Sequence, residues 1–244
     1  MTPWHIIDRC ELPQRKELQL ARRGDEWVLR IGGHTLMSSK AHASEETLAA
    51  WALERVVDPK DVLIGGLGLG FTLRAVLDRV SPTTRVIVVE LLGRLIAWNR
   101  TVVADVAKRP LDDERVRVVQ DDVFARIEAA LKAYDAILLD VDNGPSATTQ
   151  ASNNRLYGGR GVTACYRALK QGGVLAVWSA GPDETYLRAL ERARFSVEVK
   201  RVTSRGGSKG STHTLFLATK HAPGRAPPAR LAQPNPTPRP RRKK

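Results

Sequence analysis

From residue 61 onward the chain alternates short, unbroken apolar runs with amphipathic segments. DVLIGG is followed by TLRAVLDRV, RVIVVE by GRLIAWNRTVVADV, RVRVVQ by VFARIEAALK, and YDAILLD, after a loop, by LYGGRGVTACYRALK. GVLAVWS, DETYLRALERA, FSVEVKRV and HTLFLATK close the series. Continuous apolar strands between amphipathic helices predict a parallel sheet covered on both faces. A hairpin-length connection joins the last two strands, so they must run antiparallel. The expected fold is α/β: a doubly wound, Rossmann-like, mostly parallel sheet with an antiparallel last strand.

Upstream, ELQLARRGDEWVLRIGGHTLM alternates at the strand period and predicts two or three short strands, with turns at Arg23-Gly24 and Gly32-Gly33. A helix is expected to start at Ser44 as N-cap, with Glu45 and Glu46 favourably placed for the helix dipole. The division expected is a small β-rich piece with a helix over 1–58, the nucleotide-binding domain over 59–220, and a tail over 221–244. That tail holds seven of the fourteen prolines, seven Arg or Lys and no acid, a composition that predicts an extended, disordered segment. Removing its seven charges from the net +13 leaves +6. Nucleic acid is a conceivable partner for such a tail, and a solubilising extension explains it equally well. Cys10 and Cys165 form no metal or redox motif, and His34, His42 and His213 show no metal spacing. No metal is expected, nor any membrane span or signal peptide, and a cytoplasmic setting follows.

In an open α/β sheet the ligand lies beyond the C-terminal strand ends. The first strand ends in a glycine turn, Gly65 to Gly70, in which Gly66, Gly68 and Gly70 let backbone approach a ligand. The second ends in Glu90, about twenty residues on, where an acid commonly accepts ribose hydroxyls. The third ends in Asp121-Asp122 and the fourth in Asp140-Val141-Asp142-Asn143-Gly144-Pro145. Any one of these alone is a tight turn or a helix cap, but four at successive strand ends point to a nucleotide site. Acids at the third and fourth ends would repel a pyrophosphate, so an adenosine carrying a sulfonium is preferred to a dinucleotide.

GGLGLGFTLR, the Glu90 strand end, QDDVF and YDAILLDVDNGP followed by LYGGRGV resemble the polyamine aminopropyltransferases, the spermidine synthase family within the class I S-adenosylmethionine-dependent fold. The resemblance covers roughly residues 17–220 by element order. It implies that Glu90 holds the ribose, Asp122 the adenine amino group and Asp140 the amine end of the reacting groups. It also implies S-adenosylmethionine or its decarboxylated form as cofactor and a polyamine or other small-molecule acceptor. The sequence departs twice from the family pattern. Leu69 stands where the family's glycine loop carries an acid, and Asp142 falls one residue early in the fourth-strand motif, leaving Asn143 in the expected place.

Leu69 cannot pair with the aminopropyl ammonium, and its presence removes a repulsion against the carboxylate of unmodified S-adenosylmethionine. Methyl transfer is therefore a competing reading, and a non-catalytic binding module is a third. Asp140 and Asp142 are the catalytic candidates for proton removal or amine orientation. Glu45 and Glu46 join them if the N-terminal helix packs over the cleft, and Tyr157 and Trp178 flank it, with core packing as an equal alternative for both. Arg205 and Lys209, on a glycine-rich hairpin loop, are expected at the rim, where they would repel a polycation. Glu90 is expected to be replaceable without loss of the fold. A homodimer is left open.

Overall fold

The computed structural model describes residues 2–12, 16–141, 144–145, 153–207 and 210–221. Four N-terminal strands, β1 (His5–Leu12), β2 (Lys16–Arg23), β3 (Glu26–Ile31) and β4 (His34–Ser38), form an antiparallel meander in sequence order. Gly32 and Gly33, both with positive φ, make the two-residue turn between β3 and β4, the conformation that fits the twist of a tight hairpin. The sequence reading missed β1. HIIDRCEL is mostly exposed and therefore lacks a clear apolar face.

The main sheet has seven strands. β5 (Asp61–Gly65), β6 (Arg85–Glu90), β7 (Val116–Gln120), β8 (Tyr134–Leu139) and β9 (Leu169–Ser179) run parallel, while β11 (Thr212–Lys220) runs antiparallel between β9 and β10 (Phe195–Thr203). The order is β10-β11-β9-β8-β5-β6-β7. The doubly wound sheet with an antiparallel last strand is thus observed. The connection from β5 to β6 leads to one side and the connection from β7 to β8 back past β5 to the other. The strand order consequently reverses at β5 and β8, the place where open α/β sheets bind ligands.

Helices cover both faces. α4 (Val123–Glu128), α5 (Asn153–Tyr157), α6 (Gly159–Ala168) and α7 (Glu184–Arg192) bury one face around Leu63, Ile137, Leu175 and Phe216. On the other, α1 (Ala43–Leu53), α2 (Phe71–Leu77) and α3 (Gly93–Arg100) cover Ile64, Leu138, Ala176 and Leu217. A third cluster joins the N-terminal meander to α3 and the glycine loop through Leu18, Leu20, Leu29, Leu69, Leu95 and Trp98. Asp8 of β1 reinforces this junction, accepting from Trp98 Nε1 at 2.8 Å and from Arg94 at 2.5 Å.

Three local expectations are corrected. His42, not Ser44, occupies the N-cap of α1, and no side chain caps it. Ser44 lies inside the helix, buried, with its hydroxyl donating to Glu45 Oε2 at 2.5 Å. The helix expected over 93–106 stops at Arg100, and a short 3-10 turn over Ala104–Ala107 follows. Thr101, Val102 and Val103 are consecutive β-branched residues that resist helical continuation. The segment 156–170 divides at Gly158 into α5 and α6.

Leu20 is fully buried where the meander meets α3. Leu20→Ala is expected to lower stability by ~2–5 kcal/mol, the range for a buried leucine truncated in a packed core. A denaturant midpoint unchanged from the parent would show that the meander does not share the core.

Candidate functional site

A cavity of about 190 Å³ opens at the switch point between β5 and β8. Its floor is strand-end backbone and its back wall is acidic: Gly66, Gly68, Glu90, Asp121, Asp122 and Asp140 all line it. Its remaining wall is apolar and comes from the N-terminal meander, with Leu18, Leu29, Ile31 and Met37 among the contributors. Sequence reading did not assign that wall. The alternation of Leu18 with Leu20 and of Leu29 with Ile31 marked a buried face, but nothing local said which body it would meet.

Glycine is required at the turn for a measurable reason. Gly66 has φ +88°, and a Cβ there would lie 2.3 Å from the Asp140 carbonyl oxygen. Any side chain would drive β5 and β8 apart at their ends and close the crevice. A Cβ on Gly68 would approach Met37 Sδ to 2.8 Å, so the meander also closes down on bare backbone. Gly70, with φ +87°, is the N-cap of α2.

Leu69 lies elsewhere than a reading of the loop alone suggests. Its side chain is fully buried in the third core cluster and is not among those lining the cavity, while its N–H donates to Met37 Sδ at 3.2 Å. An acid introduced at 69 would enter apolar packing, not the cleft, and would destabilise the chain.

Glu90 ends β6 as expected and is 7% exposed. One oxygen accepts from Leu67 N at 2.9 Å and the other from Leu92 N at 2.8 Å. The carboxylate thus ties the glycine loop to the start of α3. Asp122 caps α4, accepting from Phe124 N at 2.8 Å, and its other oxygen lies 3.2 Å from Arg155. Asp121 accepts from Asp122 N at 2.8 Å.

Asp140 follows β8. Leu138 pairs with Ala176 of β9, and both belong to the sheet face that α1 covers. Strand alternation puts Asp140 on that same face, where Thr72 Oγ1 of α2 donates to it at 2.7 Å. Glu45, in the first turn of α1, is 5% exposed and faces Asp140 closely enough to feel its charge. Burial raises the Glu45 carboxyl to about 7, and the negative charge of Asp140 adds to the rise against the Ser44 hydrogen bond. Burial likewise raises Asp140 to about 6, opposed by the Thr72 hydroxyl. Both carboxyls therefore resist ionisation well above the usual carboxylate range, and they titrate together rather than singly. Glu46 points outward, with Oε1 2.9 Å from His42 Nδ1, and the His42 ring stacks on Phe71 at 3.9 Å.

The remaining rim candidates separate. Tyr157 is buried, donates to the Val141 carbonyl at 3.2 Å and meets Tyr186 edge-on, so it packs beneath the loop after β8 and does not line the cavity. Trp178 is buried against His213, with ring centroids 4.6 Å apart. Arg205 is exposed on the β10–β11 connection, whose Ser204 carbonyl accepts from Ala43 N at 2.9 Å, so this loop abuts the start of α1. Asp142, Asn143 and Lys209 lie outside the described residues, as does the tail from residue 222. No group of three or more His, Cys, Asp or Glu that could hold a metal occurs among the described residues, and no helix there is long and apolar enough to cross a membrane.

A switch-point cavity with a glycine turn, a buried acid at the second strand end and further acids at the third and fourth defines a class I methyltransferase-like fold. A family model described as "Spermine/spermidine synthase domain" matches residues 41–194, and the chain belongs to that family. Polyamine aminopropyltransferase 2 of Pseudomonas aeruginosa is 33% identical over 198 residues, covering 79% of this chain and 54% of the relative. The polyamine aminopropyltransferase of Mycobacterium tuberculosis is 29% identical over 174 residues, covering 70% and 32%. The chain thus spans about half of the first relative's length and about a third of the second's. Among solved structures, a spermidine synthase in complex with the transition state analogue AdoDATO superposes with a TM-score of 0.73 at 24% identity, covering 88% of this chain and 73% of that one. Spermidine synthase from Thermotoga maritima gives 0.72 at 24% identity, covering 88% and 72%.

The carboxylate pair makes stability pH-dependent in a definite direction. Folding raises both pKa values above the unfolded range of ~4, so the folded state binds more protons than the unfolded chain between about pH 4 and pH 7. This stabilisation is fully present below the unfolded pKa and is lost as pH rises through the folded values. Glu45→Gln cannot ionise and is expected to melt above the parent at about pH 8, with the difference vanishing towards about pH 4. Parallel melting curves for both proteins across that range would show that the pair is not coupled to folding.

Proposed function

We propose that this chain transfers an aminopropyl group from decarboxylated S-adenosylmethionine, or a closely similar sulfonium nucleotide, to an amine acceptor. The observation that carries this reading is the placement of Asp140 at the cavity with Glu45 near enough to feel its charge, both carboxyls raised towards neutrality. Such a pair suits a substrate that arrives as an ammonium and must lose a proton before it attacks. Family membership and the names of the relatives support the same reaction class.

The sulfonium substrate supplies an electrophilic carbon beside a good leaving group. Glu90 accepts the ribose hydroxyls, the bare glycine loop admits the nucleoside, and the apolar wall from the N-terminal meander takes the adenine face. Asp140, partly open at the cavity edge, holds the incoming amine in line with that carbon. The amine nitrogen forms the new C–N bond as the C–S bond breaks. Its surplus proton passes to the Asp140–Glu45 pair, and the nucleoside leaves as a neutral thioether. Thr72 keeps one Asp140 oxygen oriented, leaving the other for the amine.

The acid that the family carries in the glycine loop has no replacement from Leu69. The charged end of the aminopropyl group then depends on Asp140 and on the segment after it. This dependence gives the reading a sharp test. With decarboxylated S-adenosylmethionine and 1,4-diaminobutane, the parent is expected to form an aminopropylated product. Asp140→Asn should lower kcat by roughly 10²–10⁴, the share general acid–base catalysis usually supplies, with affinity for methylthioadenosine near the parent value. Methyl transfer from unmodified S-adenosylmethionine, with no aminopropyl transfer, would replace this reading with the competing one.

The pH profile provides a second check. The pair must be ionised to take up the proton, so kcat/KM should rise with pH through about 6–7. Removing the neighbouring negative charge in Glu45→Gln should move the acidic limb to lower pH. An unmoved limb would mean that some other group accepts the proton.

A further inference from the structure

Asn99 is a buried polar residue in an apolar setting. It is 2% exposed in the last turn of α3, the helix whose Leu95 and Trp98 join the core cluster of the meander and the glycine turn. An amide there is costly unless its hydrogen bonds are made, and asparagine is also a weak helix former. Its Nδ2 donates twice, to the Leu95 carbonyl one turn back at 2.9 Å and to the Gly68 carbonyl at 2.9 Å. The first acceptor belongs to the helix itself. The second lies 31 positions away in sequence, and Asn99 is its donor among the described residues.

The Gly68 carbonyl matters because of where the turn sits. Gly68 lines the switch-point cavity and has φ +53°. The peptide that joins it to Leu69 is held by side chains of two separate elements. Asn99 donates to its carbonyl, and Met37 of β4 accepts its N–H at 3.2 Å. The neighbouring amides are engaged otherwise: Gly66 N by the Val89 carbonyl, Leu67 N by Glu90 and Gly70 N by the Leu67 carbonyl. Glycine on one side lets a peptide rotate at little steric cost. Without Asn99 the Gly68 carbonyl would face α3 with no donor, a costly arrangement that turning the peptide over relieves. Its oxygen would then point towards Met37, which lines the same cavity. Asn99 also backs the end of the turn, since a Cβ on Gly70 would lie 3.2 Å from its Oδ1.

We propose that Asn99 is a positioning residue for the sulfonium nucleotide: through its bond to the Gly68 carbonyl it holds the glycine turn in the shape that admits the nucleoside. The inference rests on the reading of the cavity given above and adds to it the residue that keeps the turn ready. Asn99 is not among the residues lining the cavity, so it acts on the ligand only through the turn. Its effect is on the fraction of molecules whose turn is competent to bind. Affinity falls in proportion to that fraction, so a turn competent in about a tenth of the molecules binds about tenfold more weakly.

The test is calorimetry of the full chain with methylthioadenosine between about pH 5.5 and about pH 8, each variant compared with the parent at the same pH. Asn99→Ser keeps a hydroxyl that can donate to the Leu95 carbonyl but is too short to reach Gly68. It should bind about tenfold more weakly than the parent throughout the range. Asn99→Asp keeps the shape and places acceptors where the amide N–H groups stood. It should bind more weakly still at the alkaline end. It should recover towards the parent at the acidic end, where a buried carboxyl facing two carbonyls is protonated and donates again. In turnover with decarboxylated S-adenosylmethionine and 1,4-diaminobutane, KM for the sulfonium substrate should rise in both variants, with kcat and the diamine KM near the parent values. Parent-like affinity in Asn99→Ser, or an Asn99→Asp deficit that does not narrow on acidification, would overturn the proposal and leave aminopropyl transfer intact. Weakened binding as described, in a parent that transfers no aminopropyl group, would keep the positioning role and overturn the reaction. A parent that does not bind methylthioadenosine would overturn both. Should Asn99→Asp fail to fold, the affinity ratio of Asn99→Ser to the parent decides the matter.

Discussion

Asp140 and Glu45 arrive from opposite ends of the architecture, one at the tip of a central strand and the other in the first turn of a helix 95 positions earlier in the sequence. Holding two carboxyls together out of water is costly, and their raised pKa values express that cost. The surroundings are arranged to sustain it. α1 packs on β8, β9, β10, β11 and α2, and its start is pinned by the Ser204 carbonyl from the β10–β11 connection. Thr72, which orients Asp140, stands in the first turn of the helix that the glycine loop opens. The switch-point cavity and the acidic pair consequently meet at one residue, Asp140.

The second structural dependence is the seal between the N-terminal meander and the main sheet. The apolar wall of the cavity exists only because Leu18, Leu29 and Met37 are carried there by strands anchored through Leu20, Leu69 and Trp98. Leu69 therefore has a structural part. Its side chain fastens the two sheets together, and Met37 accepts the Leu69 N–H from the meander side.

Much of this was legible in the sequence because it is local. Continuous apolar strands such as VLIG and AILL announce burial on both faces, and glycines and acids at their ends mark the switch point. Glu90, Asp121, Asp122 and Asp140 were all found in that way. The rest depends on contacts distant in sequence. Leu69 is placed at the cleft by resemblance to the family's glycine loop, and a loop position has no periodicity to show that its side chain turns into the core instead. The two backbone donors to Glu90, Leu67 and Leu92, belong to separate loops, so the tie they make is invisible to a local reading. Ser44 was read as a cap on residue type, although the helix begins earlier at the point where Ser204 pins it.

The central claim, that Asp140 and Glu45 share a proton which an incoming ammonium displaces, is tested most directly by proton release on binding. The full chain, saturated with methylthioadenosine at about pH 6.5, is titrated calorimetrically with 4-aminobutan-1-ol in phosphate and in imidazole buffers, whose ionisation enthalpies differ. The account predicts a binding enthalpy that shifts between the buffers by the amount expected for release of close to one proton, and a much smaller shift in Glu45→Gln. Identical enthalpies in both buffers for the parent would contradict it, because the two carboxyls would then already be ionised independently of the amine.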